Sequence, residues 1–132
     1  MLMSLKSKGT NAERDLIRLF WSVGWAAIRS AGSGSMHYPS PDVLAGNKIR
    51  KLAIEAKATK DSKKYIPKED LADLKNFSSY FGAEPWVAVK FNNIPWAFIN
   101  PEDLKETRSS YVISRTDAER KGLNFEELTS TC

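Results

Sequence analysis

Asp42, Glu55 and Lys57 are the residues of this chain whose types and spacing could do chemistry. Asp42 follows Pro41 at the mouth of one apolar run, and Glu55-Ala56-Lys57 lies within the next. Side chains alternate along an extended strand. Glu55 and Lys57 therefore share a face with Ala53 and Thr59, while Leu52, Ile54 and Ala56 form the core side. Two carboxylates hold a hard divalent cation through oxygen, and a lysine can steady a nucleophile or a phosphate. Glu-x-Lys alone is a common pattern that usually marks plain solvent-facing strand residues. The preceding Pro41-Asp42, the strand context and the basic surroundings favour a metal site.

Glu13 adds a third acid. Between Thr10 and Val23 the apolar residues recur at helical spacing, and on a wheel of about 100° per residue Glu13 lies within about 40° of Ile17, Phe20 and Gly24. An acid in a first turn often serves only the helix dipole. On the inward stripe, however, it needs a partner, which a cation or its water would supply. Arg14 points away from this stripe, and Arg29 ends the next apolar segment; guanidinium groups suit phosphate through paired, planar donors. Ser33 and Ser35 sit in a flexible Gly-Ser loop and could reach a phosphate. His37, in the same loop, is read as a solvated residue.

The elements that must position these groups follow from turn and cap residues. A helix over Thr10 to Val23 takes Thr10 or Asn11 as N-cap and ends before Gly24. Trp25 to Ser30 forms a short strand, then residues 32–41 a loop. Asp42 to Ala45 and Lys51 to Ala58 form a hairpin. Opposed residues in such a pair have a constant sum of numbers. Placing Asp42 against Glu55 therefore requires a bulge or a loop over Gly46 to Arg50, because a two-residue turn on Gly46-Asn47 sets Asp42 against Lys51. Lys60 to Lys64 reads as a basic connection. Pro67 opens a helix that runs to Phe81 and stops at Gly82, followed by strands over Trp86 to Phe91 and Pro95 to Ile99, the second at an edge. The tail offers a strand around Tyr111 to Ile113 and a helix near Phe125 to Leu128. The result is one α/β domain over residues 1–132, with a mixed, largely antiparallel sheet flanked by two helices. Residues 1–7 are expected to be flexible and 125–132 a weakly ordered tail.

Composition narrows the function classes. The chain has 132 residues, 42% of them hydrophobic, and no apolar run approaches the roughly 18 residues of a membrane span. One cysteine, Cys132, excludes an internal disulfide framework and a cysteine-rich zinc site. A soluble, cytoplasmic protein with no membrane partner and an oxygen-ligated cation is the expectation. The net charge of +4 is unevenly spread: Lys6 to Lys68 holds thirteen basic and five acidic residues, against seven and eleven in the rest. A basic half releases counterions from a phosphate backbone, and Lys8, Lys51, Lys60, Lys63 and Lys64 are candidate DNA contacts beside Arg14, Arg29, Ser33 and Ser35. Phe77, Tyr80 and Phe81 form an aromatic cluster late in the second helix. Any of these left exposed would mark a self-association face.

Lys8-Gly9-Thr10-Asn11-Ala12-Glu13-Arg14-Asp15, Trp25 to Arg29, Pro39 to Asp42 and Glu55-Ala56-Lys57, in that order, resemble the archaeal Holliday junction resolvases of the Hjc type. The likeness runs to about Ile99. It implies a restriction-endonuclease-like fold and a homodimer making paired, symmetric nicks in four-way junction DNA during recombination and repair. Magnesium is the implied cofactor, with manganese able to substitute. By position it assigns Glu13, Asp42 and Glu55 to the metal and Lys57 as the catalytic lysine. It gives Arg14 and Arg29 to cleavage or binding and Ser33 or Ser35 to a contributing serine. Phe77 and Phe81 fall at dimerisation positions. A same-fold nuclease for linear DNA and a non-catalytic branched-DNA-binding module remain alternatives, and docking of a sliding clamp on the tail is an open question.

Overall fold

The computed structural model describes residues 5–30 and 38–130. Its elements in chain order are α1 (Leu5–Ser22), β1 (Ala26–Arg29), β2 (Val43–Gly46), β3 (Lys51–Thr59), β4 (Lys63–Pro67), α2 (Lys68–Phe81), β5 (Glu84–Phe91) and β6 (Ala97–Ile99). After a 3-10 turn over Pro101–Asp103 come β7 (Lys105–Glu106), β8 (Ser110–Ser114), α3 (Arg115–Lys121) and α4 (Phe125–Thr129). The main sheet has the order β1-β2-β3-β5-β6, and a second, smaller sheet has the order β4-β8-β7. In the main sheet only β3 and β5 run parallel. It is the mixed, largely antiparallel sheet expected.

The crossover from β3 to β5 contains α2, which places β3 at the centre of the sheet with both faces covered. On one face Leu52 and Ile54 pack with Leu16 and Phe20 of α1, Trp25 and Phe98. On the other, Ala53 joins Leu71 and Leu74 of α2, Val87 and Val89. One strand face alone was expected to meet core. The face that carries Glu55 is buried as well, because a parallel crossover must lay its helix on the sheet.

Several boundaries differ from expectation. α1 begins at Leu5, five residues before the expected Thr10 start, so residues 5–7, expected to be flexible, are helical. Leu and Lys are good helix formers, and a single Gly costs only about 1 kcal/mol within a helix. At the other end Gly24 takes φ +87°, the left-handed conformation that stops the helix. The basic connection of residues 60–64 turns into β4, whose neighbour β8 arrives from far along the chain and gave no local signal. α2 runs to Phe81 and stops at Gly82, φ +79°, as its Pro and Gly punctuation predicts. The segment from residue 125, expected to be weakly ordered, docks instead as α4. It starts in a capping box between Asn124 and Glu127, and its Leu128 is buried.

That docking has a specific clamp. Arg50 grips Glu84 through two bonds, Nε to Oε2 and Nη2 to Oε1, both 2.8 Å, and donates from Nη1 to the Leu128 carbonyl at 2.6 Å. Its guanidinium also lies 5.6 Å from the Trp25 ring centroid. The bonds from Arg50 hold the Glu84 carboxyl below the usual range. Phe125 packs edge-on against Phe20 at 5.0 Å, closing the layer over α1.

Candidate active site

Asp42 and Glu55 are brought together by the β2–β3 hairpin. The register pairs Val43 with Ile54 and Gly46 with Lys51, so the next step outward sets Asp42 opposite Glu55. The turn is the longer loop that the arithmetic required, residues 47–50, with no bulge in the pairing. Asn47 N donates to the Arg50 carbonyl, and Asn47 Oδ1 accepts from the amides of Ile49 and Arg50. Such self-capping is why asparagine favours this position.

Asp42 Oδ2 accepts from Ala56 N at 2.9 Å, which fixes the carboxylate against β3. Glu55 is only 7% exposed. Burial first and the Asp42 charge second push its carboxyl up to about 8. Burial also raises Asp42, against the bonds it accepts from Ala56 and from the Glu55 side chain. At neutral pH, with no cation between them, the pair holds a proton. Lys57 Nζ lies 3.2 Å from Glu55 Oε2 and 3.1 Å from Asp70 Oδ2. Burial alone would lower Lys57, but the anions on both sides outweigh it and hold the ammonium above its usual value.

Glu13 reaches the same neighbourhood from α1. Its Oε1 accepts from Arg29 Nε at 2.8 Å, a half-buried pair joining the helix to the end of β1. Burial first and Asp42 next raise its carboxyl, with Arg29 opposing them. Glu13 therefore feels Asp42 but is turned to Arg29. Among the described residues no three acidic, His or Cys side chains are gathered as a ready cation cage. Asp42 and Glu55 form a joined pair, and Glu13 stands at its edge in an ion pair with Arg29 that the sequence did not reveal.

The donor set of that pair fits a hard divalent cation. Burial raises both carboxyls and the Asp42 charge raises Glu55 further, a strain that a cation between them would relieve.

The remaining candidates divide. Arg14 is exposed on α1, clear of the inward stripe, and Arg29 is half-buried on Glu13. Lys60 and Lys63 are exposed and Lys64 half-buried, all just beyond the end of β3 that carries Lys57. Lys51 lies at the opposite end of β3, about 20 Å from Lys57 at strand rise. There it donates to the Phe81 carbonyl at 3.2 Å and sits 5.0 Å from the Phe81 ring. The structure separates it from the other basic candidates. Lys8 lies in α1, and Ser33, Ser35 and His37 fall outside the described residues. Phe77 stacks on Phe81 at 5.2 Å; Tyr80 is 94% exposed and Phe81 is exposed beside it. Asp70 was missed. Its only sequence signal is an acid one turn after Pro67, which reads equally as a partner for the helix dipole.

Fold and site describe a nuclease-type α/β domain, with paired acids and a lysine at the end of a central strand. Comparison with known proteins is narrower. The family model for archaeal Holliday junction resolvases (Hjc) matches residues 4–132, and the chain belongs to that family. The crossover junction endodeoxyribonuclease Hjc of Archaeoglobus fulgidus is 41% identical over 112 residues, covering 85% of this chain and 82% of that protein. The Hjc enzyme of Methanocaldococcus jannaschii is 43% identical over 106 residues, covering 80% and 75%. The solved structure of Archaeoglobus fulgidus Hjc, described as a Holliday junction resolvase, superposes with a TM-score of 0.87 at 37% identity. The match covers 92% of this chain and all of that one. Among the described residues no helix is long and apolar enough to cross a membrane.

Proposed function

We propose that this chain is a crossover junction endodeoxyribonuclease that resolves four-way DNA junctions, using Asp42, Glu55 and Lys57 on each strand it cuts. The observation that carries the site assignment is the buried, opposed carboxylate pair of Asp42 and Glu55, with the Lys57 ammonium against it. A fold built only for stability gains little from such an arrangement, because each buried carboxyl costs free energy unless something pairs with it.

Asp42 and Glu55 would hold a divalent cation, magnesium or manganese, with Glu13 at its edge. When bound, such a cation activates water and offsets charge on the departing oxygen. The chain's own residues then do the following. Ala56 N fixes the rotamer of Asp42. Lys57, desolvated and charged, would orient the attacking water or neutralise charge building on phosphorus. Arg29, half-buried on Glu13, and Arg14, in solvent, would supply guanidinium groups to phosphates, with Lys60 and Lys63 extending the basic track.

Two nicks on strands of matching polarity call for two sites related by symmetry, hence a homodimer. Tyr80 and Phe81 would supply its exposed aromatic face, with partly buried Phe77 stacked on Phe81, beside a shallow apolar depression of about 270 Å³ formed by Ala26, Ile28, Leu44 and Phe81. Sequence would be read only secondarily, with branched shape and phosphate placement dominant.

The test is cleavage of an immobile four-way junction and of matched linear duplex, each with and without Mg²⁺. Magnesium-dependent symmetric nicking of the junction alone is the expected result. Tight junction binding without cleavage in either Mg²⁺ or Mn²⁺ would overturn the catalytic assignment.

A further inference from the structure

Lys57 has two anionic partners, and only one of them belongs to the carboxylate pair. Glu55 Oε2 at 3.2 Å stands to the strand side, and Asp70 Oδ2 at 3.1 Å approaches from α2. Lys57 and Asp70 are both largely withdrawn from solvent. We propose that Asp70 is a positioning residue of the reaction: it holds the Lys57 ammonium at the rim of the site when Glu55 turns its carboxylate to other work.

The case rests on competition for Glu55. A carboxylate that ligates a cation has fewer lone pairs and less charge to offer a neighbouring lysine. A lysine on a flexible four-carbon stem then drifts unless a second anchor remains. Asp70 is built to be that anchor. It lies in the first turn of α2, where the helix dipole favours an anion. The helix itself is pinned to the sheet by buried Leu71 and Leu74. Asp70 thus approaches Lys57 from a different element than the carboxylate pair, one held in place by its own packing. A simple surface ion pair would contribute little to stability and nothing to rate. A lysine held to a fixed point contributes through orientation, where a displacement of about 1 Å costs about 100-fold in rate.

The inference rests on the catalytic reading of Lys57, so Lys57→Ala is measured beside the Asp70 variants. Single-turnover cleavage of a four-way junction in Mg²⁺, junction affinity and thermal midpoint are read for Asp70→Ala, Asp70→Asn and Asp70→Glu. Asp70→Ala is expected to cleave about 10- to 100-fold more slowly with affinity unchanged within about twofold, and Asp70→Glu to recover most of the rate. Asp70→Asn, which keeps an acceptor but loses the charge, should fall between. A parental cleavage rate in both Asp70→Ala and Asp70→Asn overturns the proposal and leaves Lys57 catalytic. So does a loss expressed only in affinity, or one that Asp70→Glu does not repair. If Lys57→Ala itself cleaves at the parental rate, the catalytic reading of Lys57 fails and the role of Asp70 falls with it.

Discussion

Asp42 faces Glu55 across the β2–β3 hairpin, and the amide of Ala56, one residue on, donates to Asp42 Oδ2 at 2.9 Å. A single backbone turn of four residues thereby sets both the separation of two acids and the rotamer of one of them.

This pairing makes stability depend on pH in a definite direction. In the folded chain without a cation, Glu55 keeps its proton to about 8, whereas in the unfolded chain it releases it near 4.5. Below the lower value both states are protonated and Glu55 contributes no pH dependence. Between the two, the unfolded state binds fewer protons, so stability falls as pH rises, and it levels off above about pH 8. Thermal midpoints measured in EDTA from pH 5 to 9 should show that decline, and Glu55→Gln should flatten it. Added Mg²⁺ should raise the midpoint most at the alkaline end, where ionised carboxylates are available to bind it.

Asp42→Asn separates binding from cleavage. The amide oxygen of asparagine can still accept from Ala56 N, so the hairpin keeps its shape. The charge that a cation needs is gone. We expect junction cleavage to drop at least about 100-fold, about 2.7 kcal/mol of transition-state stabilisation, with affinity for the junction kept or improved. Single-turnover rates beside gel-shift affinities decide it. Equal losses in both would show that Asp42 shapes the DNA surface instead.

How much of this was legible beforehand depended on how local each signal is. The Asp42–Glu55 register follows from alternation and a constant sum, properties of one hairpin, and it was readable. So were both ends of α2, set by Pro67 and Gly82. Glu13 was rightly placed on the inward side of α1, yet its pairing with Arg29 spans two elements whose approach no local pattern encodes. The same limit hid β4, whose partner β8 lies some fifty residues on, and Asp70, which meets Lys57 only once α2 has crossed the sheet. Burial of the Glu55 face was missed for a related reason. Alternation predicts a wet face and a dry one, and only a parallel crossover covers both.

The aromatic face on α2 should hold two copies together. Tyr80 is almost wholly in solvent, and Phe81 stacks on Phe77 with its outer edge bare. Tyr80→Asp with Phe81→Asp places two charges where an apolar core would have to form. The expected result is a monomer by light scattering that still unfolds in a cooperative thermal transition. Because paired incision needs two sites, the variant should release nicked junctions singly, in place of coupled linear products. A double variant that stays dimeric places the interface elsewhere.

Arg50 explains why the C-terminal segment is ordered, and its removal should undo that order selectively. The guanidinium joins the β2–β3 loop to Glu84 on β5 and to the last turn of α4, at 2.8 Å and 2.6 Å respectively. Charge-assisted bonds of this kind contribute about 1.5–3 kcal/mol each, and Arg50→Ala also strips packing from the Trp25 ring. Global stability should fall by about 2 kcal/mol or more, and α4 should suffer most. It is only five residues long and cannot persist without its tertiary contacts. Hydrogen exchange resolved by residue should show the amides of Leu128 and Ser130 losing protection well before those of β3. Asp42 and Glu55 sit at the far end of the hairpin from Arg50, so cleavage of the four-way junction at low temperature should survive. A loss of cleavage that tracks the loss of α4 protection would instead tie the C-terminal segment to the site.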